Sequence, residues 1–203
     1  MAEPAEAETL DRILEGDLNA FNDLIAAEQH RVYNLCLRML GSPQAAEDAC
    51  QEAFIAAYRN VRTLRGGNVR SWLMRIASNA CIDELRRRRR RPQASLDATP
   101  EGEDEGTPMQ VADPAAGPEE LALRGEVGAA LQAELLRLPD DQRLAVVLSD
   151  IEGLSYDEIA GAMATSVGTV KSRISRGRAR LREAVRARPE LFSGLVRPTQ
   201  GGR

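Results

Sequence analysis

Apolar residues recur every three to four positions over most of this chain. Phe21, Leu24, Ile25, Val32, Leu35, Cys36 and Met39 form the first clear series, the spacing that lines one face of a helix. Gly41 closes that series, and Ser42-Pro43 opens the next as N-cap and first-turn proline. In this second helix Ala46, Ala49, Cys50, Ala53, Phe54, Ala57 and Val61 make the inward stripe, while Glu47, Asp48, Gln51 and Glu52 occupy the opposite side. A loop holding Arg65, Gly66, Gly67 and Asn68 follows. A third helix begins near Arg70, with Leu73, Ile76, Ala77 and Ala80 inward and Arg75, Ser78, Asn79 and Arg86 on its other face. Trp72 reads first as core, with a stacking platform as the alternative.

The periodicity then stops. Residues 92–118 are rich in Pro, Gly, Ala and acids and bury too little to offset ordering entropy, so they read as a flexible linker. It separates a helical domain at 10–91 from a second at 119–188, with a fraying tail at 189–203. In the second domain Leu138-Pro139-Asp140 punctuates the chain, Asp140 being the expected N-cap of a helix bearing Leu144, Val147 and Leu148, which Gly153 stops.

Two short helices come next. Ser155 and Glu158 have capping-box spacing, and Ile159, Ala160 and Met163 share one face of the first helix. A turn through Ala164 and Thr165 ends at Ser166, a good N-cap. Val170 and Ile174 then pack back on the first helix, leaving Thr169, Lys171, Ser172, Arg173 and Arg176 mostly outward. This is a helix-turn-helix, whose second helix suits the major groove of DNA. Ordinary surface helices mix both signs of charge, yet from Lys171 to Arg188 the only acid is Glu183.

Composition agrees with an all-α fold: the 203 residues are 3% aromatic and rich in helix formers. The formal net charge of −4 hides a segregation of sign. Arg86 to Arg91 is unbroken basic sequence, whereas the linker's charges (Asp97, Glu101, Glu103, Asp104, Glu105, Asp113) are all acidic; such separation matters more than the sum for nucleic-acid binding. No apolar run approaches the roughly 18 residues of a membrane span, and the acidic N-terminus lacks a signal-peptide pattern, so a cytoplasmic protein without membrane insertion is expected. Cys36, Cys50 and Cys81 are dispersed and lack zinc-site spacing; buried thiols are the expectation. No metal, cofactor or catalytic triad can be assembled around His30, the sole histidine. A recombinase or nuclease reading therefore finds no catalytic cluster, and a simple repressor would leave the acidic second helix and the Trp72–Arg91 segment without a purpose.

Two separated stretches resemble the extracytoplasmic-function (ECF) sigma factors, bacterial transcription initiation factors of two domains. Ala46-Glu47-Asp48-Ala49-Cys50-Gln51-Glu52-Ala53-Phe54 is similar to that family's core-polymerase-binding helix. Ser71-Trp72-Leu73-Met74-Arg75-Ile76-Ala77-Ser78-Asn79, with Ile82-Asp83-Glu84-Leu85-Arg86-Arg87-Arg88, resembles its promoter-melting and −10 recognition helix. Leu138-Pro139-Asp140-Asp141-Gln142-Arg143 and the helix-turn-helix resemble its −35-reading domain. The resemblance implies a non-enzymatic sigma factor with core RNA polymerase, promoter DNA and an anti-sigma factor as partners, acting in a stress or envelope response.

It also implies roles. Glu47, Asp48, Gln51 and Glu52 would dock on polymerase; Arg65, Gly66, Asn68, Arg75, Ser78, Asn79 and Arg86 would serve −10 recognition and melting, the loop from about Leu64 to Ser71 holding a flipped base. Ser166, Thr169, Lys171, Ser172, Arg173 and Arg176 are the −35 candidates. Of Lys171 and Arg173, one is expected to read bases and the other to hold phosphate; the sequence does not say which. The chain departs from the family in three places. Ala164 replaces a common turn glycine, which is mild if its φ stays negative. Ala49 and Cys50 are smaller than the usual aliphatics, implying looser packing. The linker is longer and more acidic than in a minimal member.

Overall fold

The computed structural model describes residues 4–64, 68–90 and 118–192. Among these the fold is all-α. Helices α1 (Pro4–Leu14), α2 (Leu18–Leu40), α3 (Pro43–Asn60) and α4 (Val69–Arg90) make a first lobe, with a 3₁₀ turn at Val61–Thr63. Helices α5 (Pro118–Arg137), α6 (Asp140–Val146), α7 (Tyr156–Ala162), α8 (Val167–Arg186) and α9 (Pro189–Phe192) make a second. The expected linker falls outside the described residues except for Pro118, which opens α5.

In the first lobe, small residues set the packing distance. Ala46, Ala49, Ala53 and Ala57 of α3 are all essentially inaccessible, which lets α2 and α4 close on that helix. The junction of α2 and α3 follows the sequence: Gly41 adopts φ +73° and donates its N–H to the Leu37 carbonyl, and Ser42 caps Ala45. Helix α1 lies outside the periodic series that marked the domain. Its Leu10 and Ile13 pack with Phe21, Leu64, Trp72 and Leu73, and Asp17 caps α2 through Asn19 (2.9 Å) while its other oxygen takes Arg12 (2.7 Å). Trp72 is core, and its Nε1 donates to Thr63 Oγ1 at 3.1 Å. Cys36 and Cys81 are fully buried and Cys50 is half-buried.

In the second lobe α6 widens into a π turn at Val147–Ile151, which Gly153 (φ +66°) terminates. Two expectations need correction. Pro139, not Asp140, occupies the N-cap position, without a side-chain cap; Asp140 is the first helical residue, and its carboxylate instead receives Arg143 and Arg89, each at 2.6 Å. The tail does not simply fray past Pro189, because α9 follows and Phe192 is 1% exposed.

The helix-turn-helix has both expected caps: the Ser155–Glu158 capping box and Ser166 bound to the Thr169 amide. The turn itself differs from expectation. Thr165 N–H donates to Ala160 O (3.0 Å) and Ala164 N–H to Gly161 O (3.5 Å), a Schellman ending that puts its left-handed residue at Ala164, where φ is +47°. Ala164 therefore carries strain that a glycine would not.

The lobes share one continuous apolar core. At the seam, Leu136 of α5 covers Gly41, while Gln132 donates to the Leu37 carbonyl (3.1 Å) and accepts from Arg38 (2.9 Å). That amide is a second donor to the Leu37 carbonyl, beside the Gly41 N–H, and it also reaches the Arg38 carbonyl (3.4 Å).

Gly177 marks a tight crossing of α8 over α6. A Cβ there would stand 2.6 Å from Val146 Cγ2 and 3.3 Å from the Gln142 carbonyl. Gly177→Ala is expected to lower stability by about 1–3 kcal/mol through overpacking. Ala164→Gly should raise it by about 0.5 kcal/mol, since relief of roughly 1–2 kcal/mol of left-handed strain is partly offset by a freer unfolded chain. Urea midpoints of the two variants check both, and an unchanged midpoint for G177A would mean that the helices do not cross this closely.

Candidate polymerase and nucleic-acid interfaces

Glu47, Asp48, Gln51 and Glu52 all project from α3 into solvent, because the alanine stripe on the other side is what buries the helix. Two residues missed in the sequence extend this face: Ile55 (51% exposed) and Tyr58 (52%). Their signal was available, since Ile55 lies off the buried stripe at i+3 and i+4 from Glu52 and Gln51. The face is thus acidic at one end and apolar at the other. Glu52 also meets Arg87 of α4 at 3.4 Å, an exposed pair worth little in water.

On α4, Arg75, Asn79 and Arg86 are exposed. Ser78 is not on that outer face. It is 1% exposed and gives its hydroxyl to the Met74 carbonyl at 2.6 Å, a back-bond that uses up its donor. Asn68 caps α4, its Oδ1 accepting from the Ser71 amide (3.2 Å), while its Nδ2 donates to Glu158 of α7 at 3.0 Å. Arg65 and Gly66 lie outside the described residues. The arginine run is matched with acids: Arg86 with Asp83, Arg87 and Arg88 with Glu84, and Arg89 with Asp140.

On α8 the hydroxyls are engaged locally. Ser166 Oγ lies 2.9 Å from Thr169 Oγ1, Ser172 donates to the Thr169 carbonyl (3.1 Å), and Arg176 donates to Ser172 Oγ (2.9 Å). Lys171 is exposed, 5.9 Å above the Tyr156 ring. Arg173 is different: its side chain is 24% exposed and its Nε sits 2.9 Å from Asp141. Farther along, Arg178 Nε donates to Asp150 at 3.0 Å, and this hydrogen bond holds the Asp150 carboxyl below the usual carboxylate range against the opposing effect of burial.

One member of the α8 set meets the α4 set in a cleft. Asn79, Asp83 and Arg86 of α4 face Ala164, Asp141 and Arg173 across it. The structure therefore brings Asn79 and Arg86 close to Arg173, while Ser166, Thr169, Lys171, Ser172 and Arg176 do not line this cleft.

Comparison with known proteins decides what this arrangement belongs to. The Sigma-70 region 2 profile matches residues 24–91, and the Sigma-70, region 4 profile matches residues 128–181. The chain is 39% identical over 180 residues to the ECF RNA polymerase sigma factor SigW of Bacillus subtilis, covering 87% of this chain and 95% of SigW. This chain belongs to the ECF sigma factors of the sigma-70 family. The RNA polymerase sigma-H factor of Pseudomonas aeruginosa is 37% identical over 91% of this chain and 96% of its own length. The ECF sigma factor SigE of Mycolicibacterium smegmatis is 42% identical over 81% of the chain, which spans 61% of that longer relative. Among solved structures, the sigma factor RpoE in complex with the anti-sigma factor NepR from Bartonella quintana shares the fold at TM-score 0.65 and 24% identity, covering 83% of this chain and 98% of that one.

Within this sigma factor, no described helix is long and apolar enough to cross a membrane. Among the described residues no cluster of three or more His, Cys, Asp or Glu is placed to hold a metal ion.

Asp140 is the carboxylate on which the second lobe's entry depends. Arg143 is 4% exposed and its Nε has no partner, so the 2.6 Å bond to Asp140 is the one that neutralises it. Asp140→Ala is expected to cost about 3 kcal/mol, the low end for stranding a buried charge because Asp140 keeps some water. Thermal unfolding measures it. A loss within a few tenths of a kcal/mol would show that Arg143 finds another anion.

Proposed function

We propose that this ECF sigma factor docks on core RNA polymerase through the exposed α3 face and reads a downstream promoter element with α4. In the same reading α8 addresses an upstream element. The polymerase performs the chemistry, and no cofactor is required. The observation that carries this is the pairing, in one chain, of an α3 face that is acidic and apolar by turns with two basic DNA-directed helices. Glu47, Asp48, Gln51 and Glu52 offer carboxylates and an amide to cations of a partner, while Ile55 and Tyr58 supply the area that desolvates such contacts. Asn79 has a donor and an acceptor for a base edge, flanked by Arg75 and Arg86 for phosphate.

For α8 the geometry supports a division of labour. Arg173 is positioned by Asp141, which suits a guanidinium held for a directional base contact. Lys171 is a solvated point charge suited to phosphate. Work of this kind takes place in the cytoplasm, where polymerase and promoter meet. An anti-sigma factor that restrains the protein until a stress signal arrives completes the proposal; RpoE of Bartonella quintana, which shares the fold, was solved with such a partner.

Asp48→Arg with Glu52→Arg should weaken core-polymerase binding at least tenfold, as charge reversal across an interface replaces attraction by repulsion, with circular dichroism unchanged. Retention of polymerase at wild-type strength removes α3 as the docking face. Arg173→Ala should cost about 1–3 kcal/mol at one upstream base pair, whereas Lys171→Ala should weaken binding about evenly over sequences and reduce the salt slope by about one. Holoenzyme footprints on promoters varied at each element measure both. Asn79→Ala should impair opening, read by permanganate, with upstream binding intact; the reverse pattern excludes α4 from melting.

A further inference from the structure

Lys171 is the only lysine among the 27 lysine and arginine side chains of this protein. Arginine fills every other basic position, including those suited to phosphate. What lysine adds is a compact amine, which can lose a proton and attack an acyl carbon; a guanidinium stays protonated. Lys171 is exposed on α8, its Nζ 5.9 Å above the Tyr156 ring. It stands at a groove of about 770 Å³ between α8 and the start of α7, lined also by Arg178, Arg182 and Arg186, with Asp150 the one carboxylate. Asp150 is already engaged. Arg178 Nε donates to it at 3.0 Å, and the same guanidinium donates to Ser149 Oγ at 3.3 Å. Four cations against one paired acid make the groove attractive to small multivalent anions.

We propose that Lys171 is a modification site, acylated on Nζ by a small acyl phosphate seated in this groove, and that the modification weakens reading of the upstream element by α8. The ammonium first gives one proton to solvent. The amine lone pair then attacks the acyl carbon: the C–N bond forms and the C–O bond to phosphate breaks. Phosphate leaves with a second proton from the nitrogen, so the products are a neutral amide and hydrogen phosphate. Acylation removes the charge of Lys171, and with it the attraction to the Tyr156 ring and to a DNA phosphate. The effect on DNA rests on the assignment of Lys171 to phosphate made above; the acylation itself does not.

The test incubates the full chain with acetyl phosphate and follows its intact mass, with peptide mapping to place the label. Wild type should gain one side-chain acetyl group, on Lys171, and Lys171→Arg none. Arg182→Ala with Arg186→Ala removes two exposed groove cations and should slow the reaction severalfold. No label at Lys171, or an unchanged rate in that double variant, overturns the groove as an acylation site. Acetyl-coenzyme A, a thioester, is the parallel arm, and labelling by it alone overturns the acyl-phosphate donor. Holoenzyme assembled with acetylated protein should bind promoter DNA about fivefold more weakly at about 0.15 M salt, with a salt slope smaller by about one, the loss of a single phosphate contact. Lys171→Arg should bind equally before and after the same treatment. Equal binding by acetylated and unmodified wild type, where Lys171→Ala weakens binding, overturns the switch. If Lys171→Ala itself changes nothing, the phosphate assignment falls and the switch with it, while the mass map alone decides the acylation.

Discussion

A chain this rich in arginine must keep its cations from repelling one another, and this one does so with its own carboxylates. Arg70, Arg89, Arg173 and Arg178 each meet an acid from another element, namely Glu152, Asp140, Asp141 and Asp150. Mutual repulsion among such cations would otherwise oppose the compact state. The pairs differ in worth. Those at the rim, such as Arg178–Asp150, sit in water and are screened by salt. Arg143–Asp140 and Arg70–Glu152 are more enclosed, so losing one partner strands a charge. The net charge of −4 therefore describes a DNA-directed protein whose positive surface is internally compensated.

Much of this was legible in the sequence, and the legible parts share a cause. Gly41, Ser42, Pro43, Ser155, Glu158 and Ser166 act within a few residues of themselves, through φ preference or a side chain reaching a nearby amide. Local chemistry of that kind is written in the order of residues. Most of the errors arose where distant contacts decide. Asp140 has the right type and place for a cap, but two arginines, one of them 51 residues away, compete for its oxygens. Ser78 shares a helical turn with exposed Arg75 and Asn79, yet it lies at the covered edge of that face. Phe192 looked like tail sequence, and α5 and α8 give α9 a surface to sit on. Ala164 was the subtlest case, because only the Schellman hydrogen bonds reveal that its φ must be positive.

The small residues of α3 were expected to loosen its packing. Ala49 is instead 2% exposed, since alanines permit a shorter distance between helices rather than leaving a void. That close approach also encloses the thiols. The hydrogen bond with Cys81, then burial, pushes the Cys36 thiol up, and burial pushes Cys50 up to about 12. Both remain protonated near neutrality, and thiolate chemistry needs the deprotonated form. The same packing fixes the rotation of α3 about its axis. Carboxylates opposite a tightly seated stripe are held at defined positions, which a docking face requires.

The seam between the lobes combines contacts that respond differently to solution conditions. Asn68–Glu158 and Arg89–Asp140 are exposed, so added salt weakens the ion pair among them. Leu136 on Gly41 and the shared apolar core are not screened, and apolar burial is if anything strengthened by excluded salts. Glu152 sits between these extremes, because its anion is costly to bury and is held by Arg70. Salt alone therefore relaxes only part of the seam. A partner that opens the lobes has to replace the buried apolar area with its own, and it has to offer cations or water to the released carboxylates. A large protein surface does both, whereas a phosphate backbone offers neither apolar area nor cations. A protein surface is therefore better suited than a nucleic acid to part the two lobes.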